Sequence, residues 1–400
     1  MTVIQSQISG VTGKTKVVLL FSSMMTVMAG AIISPSLPEL REHFSDIQGI
    51  DILAPLVLTI VALSIILFSP MVGILSDRIG RRCVFLISLL LYVLGGTGGL
   101  YLDSIWILLA SRVVLGAGVA GIATCTLSLA ADYFEGEERT GFIALITAFM
   151  GLGGVFFVFL GGFLAEAGWR YPYLLYVIPL FILPFAYFFV PDLRACKVGI
   201  AGKNMKNKKE VNRQTVILIY TLIFVGMVIF YLLPTQLPFF LRGKGIGSAV
   251  LAGSALAVLN LTQVGITLWY RSKGHRVDKK YLILLFFLFA GTANLFLSMI
   301  STYAGVIISM VIFGAGFGLL IPICNAWITD IAPDESRGKL VGGLNTAVYA
   351  GQFLSPVLAW PVVSLFGYGA PFGLYSVFGA FCMLICFAGA VVFLFFRRER

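Results

Sequence analysis

The sequence predicts an all-α membrane protein of twelve transmembrane helices, arranged as two pseudo-symmetric six-helix bundles. Three observations carry that prediction: an excess of apolar residues, the recurrence of membrane-length apolar runs, and an internal repeat at constant offset. Of 400 residues, 59% are apolar and 12% charged, whereas soluble domains hold about 45–50% and about 25%. The surplus has to face lipid. The runs show no period-2 alternation, which leaves helices rather than barrel strands as the spans of a ~30 Å hydrocarbon core.

The first half, 1–190, holds six such runs: 17–38, 52–73, 83–102, 105–131, 140–165 and 171–190. The stretch 1–16 carries Lys14 and Lys16 and is too polar for the apolar core of a signal peptide. The first run is therefore expected to stay as a span. Next comes 191–213, PDLRACKVGIAGKNMKNKKEVNR, the longest polar stretch, whose basic, glycine-containing composition reads as a cytoplasmic linker. The second half, 214–400, holds runs at 214–241, 247–270, 281–300, 303–328, 340–365 and 371–396.

Charge orients the chain. Of 28 Lys and Arg, only Arg41, Arg170, Arg242 and Lys244 fall in the outer loops, and Arg112 falls within a span. The other 23 lie on the side of the termini, which the positive-inside rule makes cytoplasmic. A cytoplasmic (inner) membrane location with both termini inside is expected. The formal net charge of +10 then belongs to this topology and to contact with anionic membrane lipid, so no nucleic-acid partner is expected. The six cysteines (Cys83, Cys125, Cys196, Cys324, Cys382, Cys386) have no metal-ligand spacing and read as reduced apolar residues. The two histidines, His43 and His275, fall at loop positions, so neither a metal site nor a cofactor is expected.

The halves repeat. SRVVLGAGVAGIATCTLSLAADYFEGEERTG (111–141) lies without gaps on SMVIFGAGFGLLIPICNAWITDIAPDESRGK (309–339), an offset of 198. Ser111, Gly116, Ala117, Gly118, Asp132 and Arg139 fall on Ser309, Gly314, Ala315, Gly316, Asp330 and Arg337. Pro172-Tyr173-Leu174-Leu175-Tyr176 resembles Pro371-Phe372-Gly373-Leu374-Tyr375 at offset 199. Six helices per half give both repeats one orientation, with the symmetry axis along the membrane normal.

The sharpest local motif is GILSDRIGRR, residues 73–82, closing the second run. Gly73 and Gly80 remove side chains where helix ends approach a neighbour, and Asp77 stands among Arg78, Arg81 and Arg82 at the inner leaflet. The segment resembles the loop 2–3 signature of the major facilitator superfamily, G-x-L-x-D-R-x-G-R-R, at every key position. Arg112 in LASRVVLGAG is similar to that family's helix-4 motif, and the resemblance covers essentially the whole chain. It implies the major facilitator fold, alternating access, and a role for Asp77 and its arginines in a cytoplasmic gate. The corresponding RSKGHRVDKK (271–280) stays basic but has lost the motif.

Arg112 lies about eight residues, or ~12 Å, into helix 4, where burial of a charge is costly and calls for a task. Two readings stay open: a structural arginine satisfied by helix-end carbonyls, or proton handling and anion binding. In proton-driven exporters of the family the matching arginine is implicated in proton relay, whereas its repeat partner here is Met310. Two departures bear on proton antiport. Phe157-Val158 stands where drug/proton antiporters often carry Gly-Pro before the Gly161-Gly162 pair, and no acidic residue precedes Glu39 in the first run. A proton gradient as driving force would then act through Asp77, Asp132 or Glu166.

By the resemblance, helices 1, 4, 7 and 10 line a central cavity. Its candidate polar residues are uncharged: Gln236, Asn260, Gln263, Asn325, Asn345 and Gln352, with Tyr231 and Tyr349. Met24, Met25 and Met28 of the first run would add a soft wall. Prolines at 35 and 38, and in the tenth and eleventh runs, would permit bending. Two functions compete: proton-coupled efflux of drugs or small amphipathic molecules, and a dedicated carrier, importing or exporting one possibly anionic metabolite. The partner is a small-molecule substrate, and a monomer is expected. No nucleophile–base set and no G-x-x-x-x-G-K loop is present, which argues against an enzyme and against ATP-driven transport.

Overall fold

A computed structural model describes residues 12–191, 212–272, 277–333, 336–367 and 373–397. Cys196, His275, most of the linker and the Pro371-Phe372 part of the repeat lie outside the described residues. The first six spans are built from α1 (Gly13–Ala31), α2 (Leu37–His43), α3 (Ile50–Ile79), α4 (Arg81–Gly96), α5 (Ile105–Tyr133), α6 (Gly136–Ala165) and α7 (Ile178–Phe189). The other six are α8 (Arg213–Gly243), α9 (Ala249–Ser272), α10 (Lys279–Met299), α11 (Tyr303–Ile331), α12 (Arg337–Phe366) and α13 (Leu374–Arg397). Among the described residues, twelve segments are long and apolar enough to cross a membrane and no strand occurs. This is the predicted all-α membrane architecture.

Helix starts follow local chemistry. The Asn212 side chain accepts from Gln214 N and Thr215 N at 3.0 and 3.4 Å, Asp278 from Lys280 N at 3.1 Å, and Thr302 from Gly305 N at 3.4 Å. Each supplies an acceptor to N–H groups that lack an intrahelical partner. Two boundaries differ most from the hydropathy reading. The second helix runs past residue 73 to Ile79, because nothing breaks it until Gly80 at φ +100°. The first span extends to His43, but interrupted: a 3-10 turn covers Ser34–Ser36 and separates α1 from α2.

The chain forms two compact units, Met1–Ile33 with Leu56–Lys208, and Ser34–Pro55 with Lys209–Arg400. In the first, α4 packs on α5 and α1 on α6. In the second, α8 packs on α12, and α11 on both α9 and α10. The repeat's glycines sit at matching seams. A Cβ on Gly116 would lie 2.4 Å from Ser64 Cβ and 2.8 Å from Val61 O, and one on Gly314 would lie 2.6 Å from Leu259 O. Residues 61 and 259 are themselves 198 apart, so the same backbone approach is built twice. Glycine is required there because no side chain fits.

Candidate functional site

The 73–82 signature folds as the last two turns of α3, the Gly80 corner and the first turn of α4. At φ +100° Gly80 holds a conformation that L side chains rarely adopt. A Cβ on Gly73 would meet nothing within 4 Å among the described residues. Arg81 donates to Ser128 O at 2.9 Å and pairs with Asp132 of α5, while Asp77 stands 3.9 Å away. Arg82 donates to the Tyr187 carbonyl and lies 5.2 Å above that residue's ring. Arg78 and Asp77 are exposed.

The second unit contains the counterpart of the central pair. Lys279 at the start of α10 bonds to Asp330 near the end of α11, and both partners lie 198 residues after Arg81 and Asp132. The motif in 271–280 has degraded, but the one cation that ties the two helices together has been kept. That pair could be found from sequence by carrying the offset from Asp330 to every basic position of the first half.

Arg112 is fully buried. Its Nη2 donates to Gly96 O at 2.6 Å, and its guanidinium lies 4.7 Å over the Tyr173 ring and 5.0 Å over the Tyr176 ring. Gly96 is the last residue of α4 and caps the 3-10 turn Thr97–Leu100 that follows it, so the guanidinium meets its carbonyl where one helix type gives way to the other. The cation also stands at the negative end of the helix dipole. Room for the tyrosines comes from glycines: a Cβ on Gly96 would lie 2.4 Å from Tyr176 Cβ, and one on Gly99 2.1 Å from Tyr173 Cε1. Tyr92 and Tyr176 extend the cluster by donating to Met25 O and Ala29 O of α1 at 2.8 and 3.0 Å.

These contacts also account for the asymmetry of the repeat. The residue equivalent to Gly96 is Asn294, and α10 continues through it to Met299. No helix end is left at that depth, and Met310 (1% exposed) fills the place of Arg112. The arginine belongs to the glycine-rich break after α4. Its contacts are one backbone carbonyl and two aromatic rings, with no carboxylate among them. The tyrosines were missed because Tyr173 and Tyr176 lie some 60 residues downstream, although Gly-Gly-x-Gly-Gly at 95–99 marked the break.

In the second unit Tyr231 and Gln236 lie on α8, Asn260 and Gln263 on α9, Asn325 on α11, and Asn345, Tyr349 and Gln352 on α12. Spacings of three and four put the α12 trio on one helix face, and the α9 pair likewise. Gln236 is buried, Asn345 exposed and the others half-buried. Asn325 donates to Ile321 O at 3.0 Å, within its own helix. Behind Tyr231, Phe230 stacks on Phe317 with ring centroids 3.8 Å apart and planes 5° from parallel. Met25 and Met28 are fully buried and Met24 half-buried, so only the last presents surface. The acidic residues Asp51, Asp77, Asp132, Glu166 and Asp330 stand at helix ends. No group of His, Cys, Asp and Glu able to hold a metal occurs among the described residues.

Comparison with known proteins places the chain. The sequence family described as the Major Facilitator Superfamily matches residues 19–280 and 268–400. The chain is 23% identical over 353 residues to the class H tetracycline resistance protein of Pasteurella multocida, covering 86% of this chain and 88% of that one. It is 26% identical over 392 residues to the bacillibactin exporter of Bacillus subtilis (strain 168), covering 92% and 94%. A solved bacterial homologue of the human lysosomal transporter Spinster superposes with a TM-score of 0.76 at 16% identity, covering 96% of each chain. The chain belongs to the major facilitator superfamily and is a multi-pass membrane transporter, not an enzyme.

Proposed function

We propose that this transporter is a proton-driven exporter of drugs or small amphipathic molecules. It works by alternating access as a monomer in the cytoplasmic membrane, with both termini inside and the 191–213 linker joining its halves. The observation that carries this reading is its similarity to the tetracycline resistance protein over 86% of the chain. The chemistry of the second unit agrees with it. Tyr231, Asn260, Gln263, Asn325, Asn345, Tyr349 and Gln352 offer phenols and amides without formal charge, which suits cargo held by dispersion and few directional bonds. Coupling would pass through a carboxylate at a helix end, with Asp77, Asp132 and Glu166 as the candidates in the first half.

A second reading, a dedicated carrier of one metabolite, is favoured by a different observation: similarity to the bacillibactin exporter over 392 residues. Everted vesicles loaded with a pH-sensitive dye separate the two. Tetracycline, a set of lipophilic cations and bacillibactin are added in turn to energised vesicles. Alkalinisation of the lumen by several unrelated compounds supports the broad exporter, and response to one compound supports the dedicated carrier. Accumulation of substrate without any lumenal pH change would overturn proton coupling.

A further inference from the structure

The chain holds 18 Asp and Glu, and their positions share one property: all keep to the ends of helices or to the segments between them. Asp51, Glu137 and Glu138 fall in first helical turns, and Glu166 and Asp278 cap helices. Asp77, Asp132 and Asp330 lie within the last three residues of α3, α5 and α11. Asp46, Asp103 and Glu135 stand between helices. Asp192, Glu210, Asp334, Glu335 and Glu399 fall outside the apolar runs of the sequence. Glu39 and Glu42 belong to α2, and Glu39, the deeper of the two, is four residues, or ~6 Å, from the end of its span at His43. Whichever helices bound the path of a cargo, that path crosses the hydrocarbon core without passing a carboxylate. At that depth stands Arg112, which is positive and fully buried.

A cargo shut off from water on both sides needs the protein to replace what its charge has lost. Aromatic faces can hold a cation in place of a carboxylate, but several here already serve the protein's own cations. Arg112 lies over Tyr173 and Tyr176, Arg82 over Tyr187 and Lys16 over Phe134. In the second unit Phe230 gives one face to Phe317 at 3.8 Å and meets the Tyr231 ring edge to face at 5.6 Å. Tyr231 and Tyr349 remain, with the amides of Gln263, Asn325, Asn345 and Gln352. Phenols and amides present both donors and acceptors. They match the polar atoms of an uncharged molecule, but they do not replace the water that a cation sheds.

We propose that the cargo carries no net positive charge: it is an aromatic molecule with hydrogen-bonding groups, and lipophilic cations are excluded. The inference deepens the exporter reading above and rests on its amphipathic cargo.

The test is equilibrium binding to the purified full chain in detergent, above neutral pH, with two radiolabelled probes of similar shape. Tetraphenylphosphonium is a permanent cation, whereas triphenylphosphine oxide is uncharged and accepts hydrogen bonds. The parent should bind the oxide at least tenfold more tightly, roughly the discrimination expected when one probe must bury an uncompensated charge. Gln352→Glu should raise affinity for the phosphonium by about tenfold, as an opposite charge at short range does. Gln263→Glu, on α9, is a second variant that should show the same gain, and melting temperatures establish that each is folded. Equal or tighter binding of the phosphonium by the parent would overturn the inference, as would two folded glutamate variants without any gain. Binding reads neither direction nor driving force. A vesicle result against proton-driven export would therefore leave the charge selectivity standing, and phosphonium binding by the parent would leave export standing.

Discussion

Replacing Arg112 by methionine, the residue at its repeat position, separates a helix-end role from a chemical one. In favour of the arginine stand its bond to Gly96 O, about 1.5–3 kcal/mol for a charged donor, and two aromatic faces at 4.7 and 5.0 Å. Each face contributes about 1–2 kcal/mol when desolvated. Against it stands removal of the guanidinium from water, a cost of several kcal/mol. In addition, Nε and Nη1 reach no acceptor among the described residues, at about 1–3 kcal/mol apiece. The two sides are of similar size, several kcal/mol each. Arg112→Met fills the volume and removes both sides, so it should melt within a few degrees of the parent in detergent and still transport. Arg112→Ala leaves a void and should lose ~2–5 kcal/mol. A Met variant that folds and melts normally yet cannot transport would refute the argument, because the charge would then be acting on substrate or protons.

Three further outcomes follow from the geometry. Gly116→Ala and Gly314→Ala should each lower thermal stability by roughly 1–3 kcal/mol, since the new methyl meets backbone oxygen at 2.8 and 2.6 Å; a neutral effect at either would mean that the two seams are not equivalent. Gly80→Ala should cost about 1–2 kcal/mol through its φ of +100°, measured by the melting temperature. Lys279→Asp should cost under ~1 kcal/mol in stability, as an exposed pair does, but slow transport in the vesicle assay. Adding Asp330→Lys should restore the rate.

Much of the architecture was legible because lipid imposes it. Apolar length alone marked twelve spans, and the glycine spacing of 116–118 and 314–316 exposed the duplication before any contact was known. Boundaries followed hydropathy less well. Polar residues such as Asp77 and Arg78 lie beyond the end of an apolar run without ending a helix, which stops only at Gly80. The partners of Arg112 were not legible, because the tyrosines above it come from a distant segment and the carbonyl below it is backbone. Lys279 escaped for a different reason. The 271–280 segment was judged against a ten-residue motif, whereas the fold kept one cation of it.

The Arg112 cluster also sets a sequence of events during synthesis. The fifth α-helix must enter the membrane carrying a guanidinium whose insertion is opposed by about 2.5–3.5 kcal/mol. Gly96 O is already made by then, but both covering rings are still to come from the ribosome. At roughly 5–20 residues per second, the ~60 residues up to Tyr173 and Tyr176 take some 3–12 seconds. For that interval the nascent bundle holds a half-coordinated cation in or beside lipid. Any change that delays the sixth span should therefore strand the fourth.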